Sequence, residues 1–329
     1  MRKVILEVSL SIILSFLIGY TTLILMGYDA TKVFSIVIRE GLSNPTYLMI
    51  RSTPLILTAL AFSIPSLVGV FNIGGEGQFY LGALSSLLIA HITGNSLLSI
   101  ITGMAAGGLL SVLIAVIKVK RGVNEVVTSI MFNWIIYFSL LYLISTYLFD
   151  PLMPYQSISV PKTARIDYLI VHIQIPAIFP IAVLTSLVMY FLLYHSALGY
   201  KMRVVGISPK AARYAGFDPE SSIILSMLIG GAMGGLGGSL LILGHTHAID
   251  STMSGLYGMG FAGIGAGLLG RNNPIGIILS SIFLSMLIIG GEAAELRARV
   301  PTELADALIG MIVIVLSAPY IVRLVRVRR

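Results

Sequence analysis

Long apolar runs alternate with short polar stretches along almost the whole chain. A helix needs about 20 apolar residues to cross roughly 30 Å of hydrocarbon, and ten runs come close to that length, the eighth being the shortest. These runs lie at about 4–26, 54–71, 76–93, 96–117, 125–148, 174–195, 221–243, 256–270, 274–291 and 302–322. The pattern predicts an all-α integral membrane protein with about ten transmembrane helices.

The basic residues predict how these helices are oriented. If the N-terminus is cytoplasmic, fourteen of the 21 Lys and Arg residues fall on the cytoplasmic side and seven fall outside. Such an excess marks the inner side of a membrane protein. The first run, Val4 to Met26, is longer than the apolar core of a signal peptide, which has about 7–15 residues. We therefore expect an uncleaved first helix and two cytoplasmic termini.

The connections predict a single transmembrane domain over residues 1–329. The longest external segment, about 149–173, contains three prolines and is too short to form a core of its own. Residues 28–52 are expected to form a second external element that is partly helical. Ile92–Asn95 is similar to Leu269–Asn272, and the helices that follow them run in opposite directions in this topology. This relation would fit an inverted repeat, although one short match also arises by chance.

Composition supports lipid as the main solvent of the chain. The residues are 57% hydrophobic and 11% charged, with a mean hydropathy of +0.96, whereas soluble domains have about 25% charged residues. The net charge of +7 does not indicate nucleic-acid binding, because the basic residues lie in short connections and at the termini. The absence of cysteine excludes disulfides, thiolate nucleophiles and cysteine metal sites.

The first informative polar segment is Phe71–Gln78, between the second and third apolar runs. Three glycines in four positions disfavour a regular helix, by about 1 kcal/mol each relative to alanine. A helix broken beside the translocation path is one interpretation, because irregular polar backbone at membrane depth must be buried or line a cavity. The other is a tight cytoplasmic turn in which Glu76 is favoured by the dipole of the next helix.

The second segment follows the basic residues 118–121. Asn124 is suited to cap the fifth helix, and Glu125 lies in its first turn. Glu125, Ser129 and Asn133 form a polar stripe at i, i+4 and i+8 on an otherwise apolar helix. Such a stripe faces a partner helix or a cavity, so hydrogen bonding between helices and contact with substrate are equally favoured. The candidate residues of the translocation path are Asn72, Gly74, Gly75, Glu76, Gln78, Glu125, Ser129 and Asn133.

The third segment lies in the cytoplasmic connection at about 201–220. Ser208 followed by Pro209 is typical of a helix start, and Gly216 of a helix end. The two turns between them are marginal alone and need a docking partner. That partner is either the chain's own bundle with the lipid headgroups or a soluble motor subunit. The candidate coupling residues are Ser208, Pro209, Lys210, Ala211, Arg213, Tyr214 and Gly216.

Other features indicate structure rather than chemistry. Gly230, Gly234 and Gly238 are spaced by four, which lets helix backbones approach closely. Glu292 and Glu295 lie near the external end of the ninth run, and we expect Arg297 and Arg299 to pair with acidic residues there. No Gly-x4-Gly-Lys-Ser/Thr loop and no His-Glu-x-x-His motif occurs, so neither ATP binding by that route nor a zinc site is predicted. We expect no enzymatic activity and no bound metal.

Four stretches together resemble the permease subunits of ABC importers for nucleosides and simple sugars. They are residues 71–78, 124–133, 206–216 and 258–276. The resemblance is to the branched-chain amino acid and ribose type of permease, in its basic-membrane-protein-dependent nucleoside branch, and it covers most of the chain in order and spacing.

The resemblance implies a half-pore in a prokaryotic cell membrane. It implies a second permease subunit (a homologue or another copy), two cytoplasmic ATP-binding subunits and an extracytoplasmic substrate-binding lipoprotein. ATP and magnesium would bind to those ATPase subunits and not to this chain, and the helix at Ser208–Ala215 would couple the ATPase to the pore. A nucleoside is the first expected substrate and a simple sugar the second.

An ion-coupled secondary transporter of a small polar solute is the alternative function. It would need acidic residues or histidines in the centre of the bundle, whereas nearly every acidic residue here falls near the end of an apolar run. The sequence therefore favours the ATP-driven importer.

Overall fold

The computed structural model describes residues 16–301 apart from 171, 173, 254 and 255, together with 304, 307, 310, 311 and 314. The first predicted span is described from Phe16 onward. The tenth predicted span, 302–322, lies outside the described residues apart from those isolated positions.

Helices make up most of the described chain. They are α1 (Phe16–Leu25), α2 (Ala30–Ser43), α3 (Pro45–Ser66), α4 (Gly75–Thr93), α5 (Ser96–Arg121), α6 (Glu125–Thr146), α7 (Ile178–His195), α8 (Ala197–Ile207), α9 (Pro209–Tyr214), α10 (Pro219–Leu241, extended by a π-helical turn at Ile242–Thr246), α11 (Met259–Leu269) and α12 (Pro274–Ala298). Among them α3, α5, α6, α7, α10 and α12 are long and apolar enough to cross a membrane. The predicted all-α membrane architecture is confirmed at this level.

Helix α3 begins at Pro45, well before the predicted start at 54. Asn44 caps it by accepting a hydrogen bond from the Tyr47 amide at 3.0 Å, and proline suits the first helical turn. The prediction was wrong because the charge of Arg51 breaks the apolar run. In the structure that charge forms an ion pair with Glu292 of α12.

The external element predicted at 28–52 consists of α2 and the first part of α3. Helix α2 packs against α12, and Glu40 on α2 pairs with Arg297 at 2.6 Å. The predicted pairing near the end of α12 is therefore partly wrong. Glu292 and Arg297 each pair with a residue of α2 or α3 that is distant in sequence.

The external segment is ordered as two small hairpins. Strand β1 (Phe149–Asp150) pairs with β2 (Met153–Ser157), and β3 (Tyr168–Ile170) pairs with β4 (Ile175–Pro176). A 3₁₀ turn at Lys162–Ala164 lies between them. The segment also bonds to the chain that follows α10, since the Val160 amide donates to the His247 carbonyl at 2.7 Å.

The centre of the bundle is built on close contacts of glycine. A β carbon on Gly107 of α5 would lie 2.5 Å from the Gly231 carbonyl oxygen of α10. A β carbon on Gly234 would lie 3.0 Å from the Gln78 side chain of α4. The spacing of the glycines predicted this close approach of helix backbones. The approach brings α4, α5 and α10 together next to the segment that contains Glu76.

Candidate functional site

A break separates α3 from α4 inside the bundle. Helix α3 ends at Ser66 and α4 begins at Gly75, with non-helical backbone over residues 67–74. The prediction placed the irregular part four residues too late, because Gly75, Glu76, Gly77 and Gln78 belong to the first turn of α4. The weak helix propensity of the glycines is overridden by packing that needs them, since a β carbon on Gly77 would lie 2.9 Å from Asn133 Oδ1 and 3.2 Å from the Asn133 Cα.

Asn72 stabilises the break by satisfying a carbonyl that a proline leaves open. Pro65 lies four residues after Ala61 and has no N–H, so the Ala61 carbonyl lacks its helical partner. The amide nitrogen of Asn72 donates to this carbonyl at 2.9 Å. Since an unpaired backbone group in the interior is costly, Asn72 is a structural requirement of the break.

Gln78 and Gly74 complete the polar interior of the break. The Gln78 amide donates to Asn72 Oδ1 at 3.2 Å, and the Gly74 N–H donates to the same oxygen at 3.0 Å. Both Asn72 and Gln78 are fully buried. These side chains therefore form an internal scaffold and do not face a cavity.

Glu76 joins the N-terminus of α4 to that of α11. Its Oε1 accepts hydrogen bonds from the Tyr80 hydroxyl and, at 2.6 Å, from the Gly258 N–H. Its Oε2 accepts from the Gly260 and Phe261 N–H groups at 2.5 and 3.1 Å. The carboxylate is thus surrounded by four donors at the positive end of a helix dipole, which accounts for an acidic side chain that is only 2% exposed.

The depth of this junction follows from the helices around it. The Phe71 N–H donates to Glu125 at the start of α6, whereas the Gly77 N–H donates to Asn133 Oδ1 at 2.8 Å. Eight residues of helix rise about 12 Å. Glu76 therefore lies about two helical turns inside the bundle, measured from the end of α6 that begins at Glu125.

Helix α11 begins at the same depth. The Thr58 hydroxyl in the second half of α3 donates to the Met259 carbonyl at 3.0 Å, and Ser63 lies 3.0 Å from Asn272. The two helices are therefore parallel, with α11 beginning in the middle of the bundle. Its eleven residues rise about 16 Å, which is about half of the roughly 30 Å of hydrocarbon that a spanning helix must cross. The run predicted at 256–270 therefore forms a helix too short to cross the membrane by itself.

The polar stripe of α6 divides into two parts. Glu125 lies near the helix end, where it pairs with Lys118 at 2.6 Å and accepts from the Phe71 N–H at 3.3 Å, and it has no contact with Glu76 among its hydrogen bonds in the described chain. Asn133 lies beside the junction, accepting from Gly77 and donating to the Ile73 carbonyl at 3.0 Å. Ser129, between them, is buried and has no hydrogen-bond partner for its hydroxyl among the described residues. Asn133, the last residue of the stripe, thus bonds to α4 and to the backbone just before it, and it also borders the cleft described next.

An aromatic cleft opens beside Glu76. It is a shallow space of about 20 Å³ that opens to the outside of the chain. Its lining is Glu76, Tyr80, Ile130, Asn133, Trp134, Tyr137, Tyr257 and Phe261. The ring centroids of Tyr80, Tyr137 and Tyr257 follow one another at 6.0 Å intervals. Sequence analysis missed every aromatic residue of this cleft, because single aromatics in apolar runs are indistinguishable from core or lipid-facing residues.

Helix α9 lies where the start and stop residues predicted it. Ser208 Oγ accepts from the Ala211 N–H at 3.3 Å, Pro209 is the first helical residue, and Gly216 has a φ of +81°.

Most side chains of α9 are exposed. Ala212 is buried, while Tyr214 is 95% exposed. Arg213 forms an ion pair with Glu220 at 3.2 Å, and both side chains remain largely exposed. Lys210 and Ala211 are exposed as well.

The preceding helix α8 is in contact with the break. A β carbon on Gly206 would overlap the carbonyl oxygen of Leu67, the first residue after α3. The cytoplasmic segment and the junction are therefore joined by direct backbone packing, a contact that only glycine permits.

Comparison with known proteins identifies the family. Residues 44–317 match the family described as branched-chain amino acid transport system / permease component. The chain belongs to this family. The family resemblance drawn from the four sequence stretches is therefore confirmed, and the permease is a multi-pass protein of the cell membrane.

The relatives are similar over nearly their whole length. The guanosine ABC transporter permease protein NupP of Bacillus subtilis is 31% identical, over 96% of this chain and 94% of the relative. The nucleoside ABC transporter permease protein NupB of Lactococcus lactis is 28% identical, over 98% and 92%. The glucose ABC transporter permease protein TsgB13 of Haloferax volcanii is 26% identical, over 93% and 85%. No solved structure matches the chain.

Family membership settles the class of function. The permease is the membrane-spanning subunit of an ATP-binding-cassette importer and is not itself the enzyme, since ATP hydrolysis belongs to separate subunits. The alternative of an ion-coupled secondary transporter loses its basis. The structure adds a reason, since the carboxylate of Glu76 in the bundle interior is already occupied by four donors.

Proposed function

We propose that this permease forms half of the translocation pore of an ATP-driven nucleoside importer and is coupled to the ATPase through α9. The observation that supports the coupling most directly is the exposure of α9. A short helix with a nearly fully exposed tyrosine needs a partner to be stable.

The position of α9 supports a cytoplasmic partner. The same end of the bundle holds the basic residues of the α5 terminus, because Lys118 pairs with Glu125 beside Phe71, and Gly206 packs on Leu67. Lys and Arg concentrate on the cytoplasmic side of membrane proteins. This arrangement favours the ten-span topology with both termini inside.

The contact between Gly206 and Leu67 supports a route for coupling. A movement of α8 and α9 would press directly on the break at residues 67–74 and through it on Glu76. The proposed translocation residues Asn72, Gly74, Gly75 and Gln78 would then hold the shape of this junction, while Asn133 borders the path. Glu125 and Ser129 belong to the cytoplasmic half of the same helix.

The remaining partners follow from the same proposal. A second permease subunit, a homologue or another copy, would complete the pore, and an extracytoplasmic lipoprotein would deliver the substrate. ATP and magnesium would bind only to the ATPase subunits, and membrane lipids would surround the rest of the chain. An inverted repeat would relate the starts of α5 and α12, although the matched asparagines differ in role: Asn95 caps α5, whereas Asn272 accepts from Ser63 and the neighbouring Asn273 caps α12.

The substrate class is inferred from the relatives. Two of the relatives named above are guanosine and nucleoside permeases and one is a glucose permease. We therefore place a nucleoside first and a simple sugar second.

The test is uptake in the native organism with and without this chain. Deletion should abolish the uptake of labelled guanosine, and a tagged copy should restore it and co-purify with an ATPase, a second permease and a lipoprotein. Loss of glucose uptake with intact guanosine uptake would instead favour the sugar branch. Full uptake of both solutes in the deletion strain would contradict the proposal.

A further inference from the structure

We infer that the aromatic cleft beside Glu76 is a contact site for the base of a nucleoside during translocation. The inference rests on the proposed function and adds the residues that would recognise the substrate. Three observations support it: the depth of the cleft in the bundle, the aromatic rings that line it, and the hydrogen-bonding groups that its polar side chains leave unpaired.

The cleft lies at the depth expected for a substrate site. It adjoins the point at which α4 and α11 begin, about two turns inside the bundle. Transporters commonly place their substrate sites where discontinuous helices begin near the middle of the membrane. Trp134, Tyr257 and Phe261 are about half exposed at this depth of the bundle. Their rings are therefore accessible to a molecule beside α6 and α11.

The rings of the cleft match a flat base. Stacking on aromatic side chains recognises nucleic-acid bases with little dependence on which base is present, because every base has a π face. Trp134 and Tyr137 meet edge to face with centroids 5.6 Å apart, and Tyr137 continues to Tyr257 at 6.0 Å. The cleft is therefore lined on several sides by the faces and edges of aromatic rings, against which a flat base can stack.

The polar groups of the cleft favour a base over a sugar. A free sugar needs donors and acceptors for many hydroxyls, but the Glu76 carboxylate already accepts four hydrogen bonds. Asn133 uses its oxygen and one N–H on the backbone of the junction. Among the described residues, the indole N–H of Trp134 and the hydroxyls of Tyr137 and Tyr257 have no hydrogen-bond partner, which suits the few polar atoms on the edge of a base.

The chain itself contains the probe for a direct test. Trp134 is its single tryptophan, so the fluorescence of the purified full-length permease in lipid nanodiscs reports on the cleft. Guanosine should quench this emission in a saturable way, after correction for its own absorption, whereas glucose should not. Absence of quenching up to the solubility limit of guanosine would overturn the inference.

Uptake by variants provides the second measurement. Trp134→Leu and Tyr257→Leu should each raise the KM for guanosine uptake about tenfold, the usual cost of losing one stacking ring. Trp134→Phe, which keeps a ring, should stay close to wild type. Tyr142→Leu is the matched control, because Tyr142 is an exposed tyrosine of the same helix outside the cleft.

The outcomes separate this inference from the proposed function. If deleting the chain leaves guanosine uptake unchanged, the proposed function fails. If deletion abolishes uptake but the leucine variants transport guanosine with an unchanged KM, the importer stands and the cleft is not its contact site. A second permease or lipid covering the cleft would give this second result.

Discussion

The two polar segments of the permease use their hydrogen-bonding groups in opposite ways. In the junction around residues 71–78, the carboxylate and amides are buried and bonded to backbone of the same chain. In the cytoplasmic segment at residues 208–216, Tyr214 and its neighbours face outward, and Arg213 has one exposed ion pair. The first segment has its polar groups bonded within one chain, and the second leaves side chains exposed for the partner that we propose.

This difference shows that polarity in an apolar chain does not by itself mark contact with substrate. Asn72, Glu76 and Gln78 looked like residues of a path, and the structure has them holding helix ends together. The aromatic cleft beside them is what remains open. Changes in the junction should therefore reduce stability, whereas changes in α9 should mainly reduce association.

The largest effect is expected from Glu76→Ala. The change leaves the N–H groups of Gly258, Gly260 and Phe261 without an acceptor, and each stranded buried donor costs about 1–3 kcal/mol. The free energy of unfolding should fall by several kcal/mol, measured by thermal or denaturant unfolding in detergent. Glu220→Ala is the control, because it breaks an exposed ion pair worth at most about 1 kcal/mol. Equal losses in the two variants would contradict the role assigned to Glu76.

Asn72→Ala should have the next largest effect, about 1–3 kcal/mol, since it leaves the Ala61 carbonyl unpaired in the interior. Pro65→Ala would restore an N–H at the position that normally bonds to that carbonyl. The Asn72→Ala loss should therefore be smaller in a Pro65→Ala background, a coupling measured by a double-mutant cycle of unfolding free energies. Simple additivity of the two changes would show that Asn72 acts by another route.

Tyr214→Ala and Arg213→Glu should lower the stability of the isolated permease by no more than about 1 kcal/mol, since Arg213 loses only an exposed ion pair. Each should weaken binding of the ATPase subunits about tenfold, because exposed Tyr and Arg often dominate an interface. The measurement is recovery of the ATPase with the tagged permease in mild detergent. Tyr155→Ala, an equally exposed tyrosine in the external segment, should bind normally. Undiminished recovery of the ATPase with both α9 variants would remove α9 from the coupling interface.

The smallest effect concerns Asp218, which caps α10. Hydrogen bonds from the Ser221 hydroxyl and the Glu220 N–H lower the pKa of this carboxyl below its usual 3.8. Because the lowered pKa belongs to the folded state, the stabilising contribution is present above the usual pKa and is lost as the pH falls through the lowered one. Protease sensitivity of the α9–α10 connection should rise at acid pH in the wild type.

Asp218→Asn keeps a good capping residue and removes the titration. This variant should show a weaker rise in protease sensitivity than the wild type over the same pH range. Identical pH profiles for the two proteins would exclude Asp218 as the titrating group.

Local signals in the sequence predicted much of the fold. The apolar runs located most of the helices, and the capping residues Asn124 and Ser208 begin helices as expected. The start of α3 was missed because Arg51 is neutralised by Glu292, which lies 241 positions away. The sequence did not reveal that α11 is about half as long as a membrane-spanning helix. Hydropathy reflects the composition of a segment and not the depth in the bundle at which its helix begins.

What the sequence determined by itself is the solvent of the chain, the approximate position of most spans and the capped helix α9. These features depend on hydrophobicity and on contacts within a few residues. Only the tertiary structure decided that Glu76 holds the start of α11, with acceptor and donors separated by 182–185 positions. It also decided that four tyrosine and tryptophan side chains from α4, α6 and the turn before α11 meet in one cleft. Contacts at such separations depend on how the helices pack, and apolar periodicity leaves that packing open.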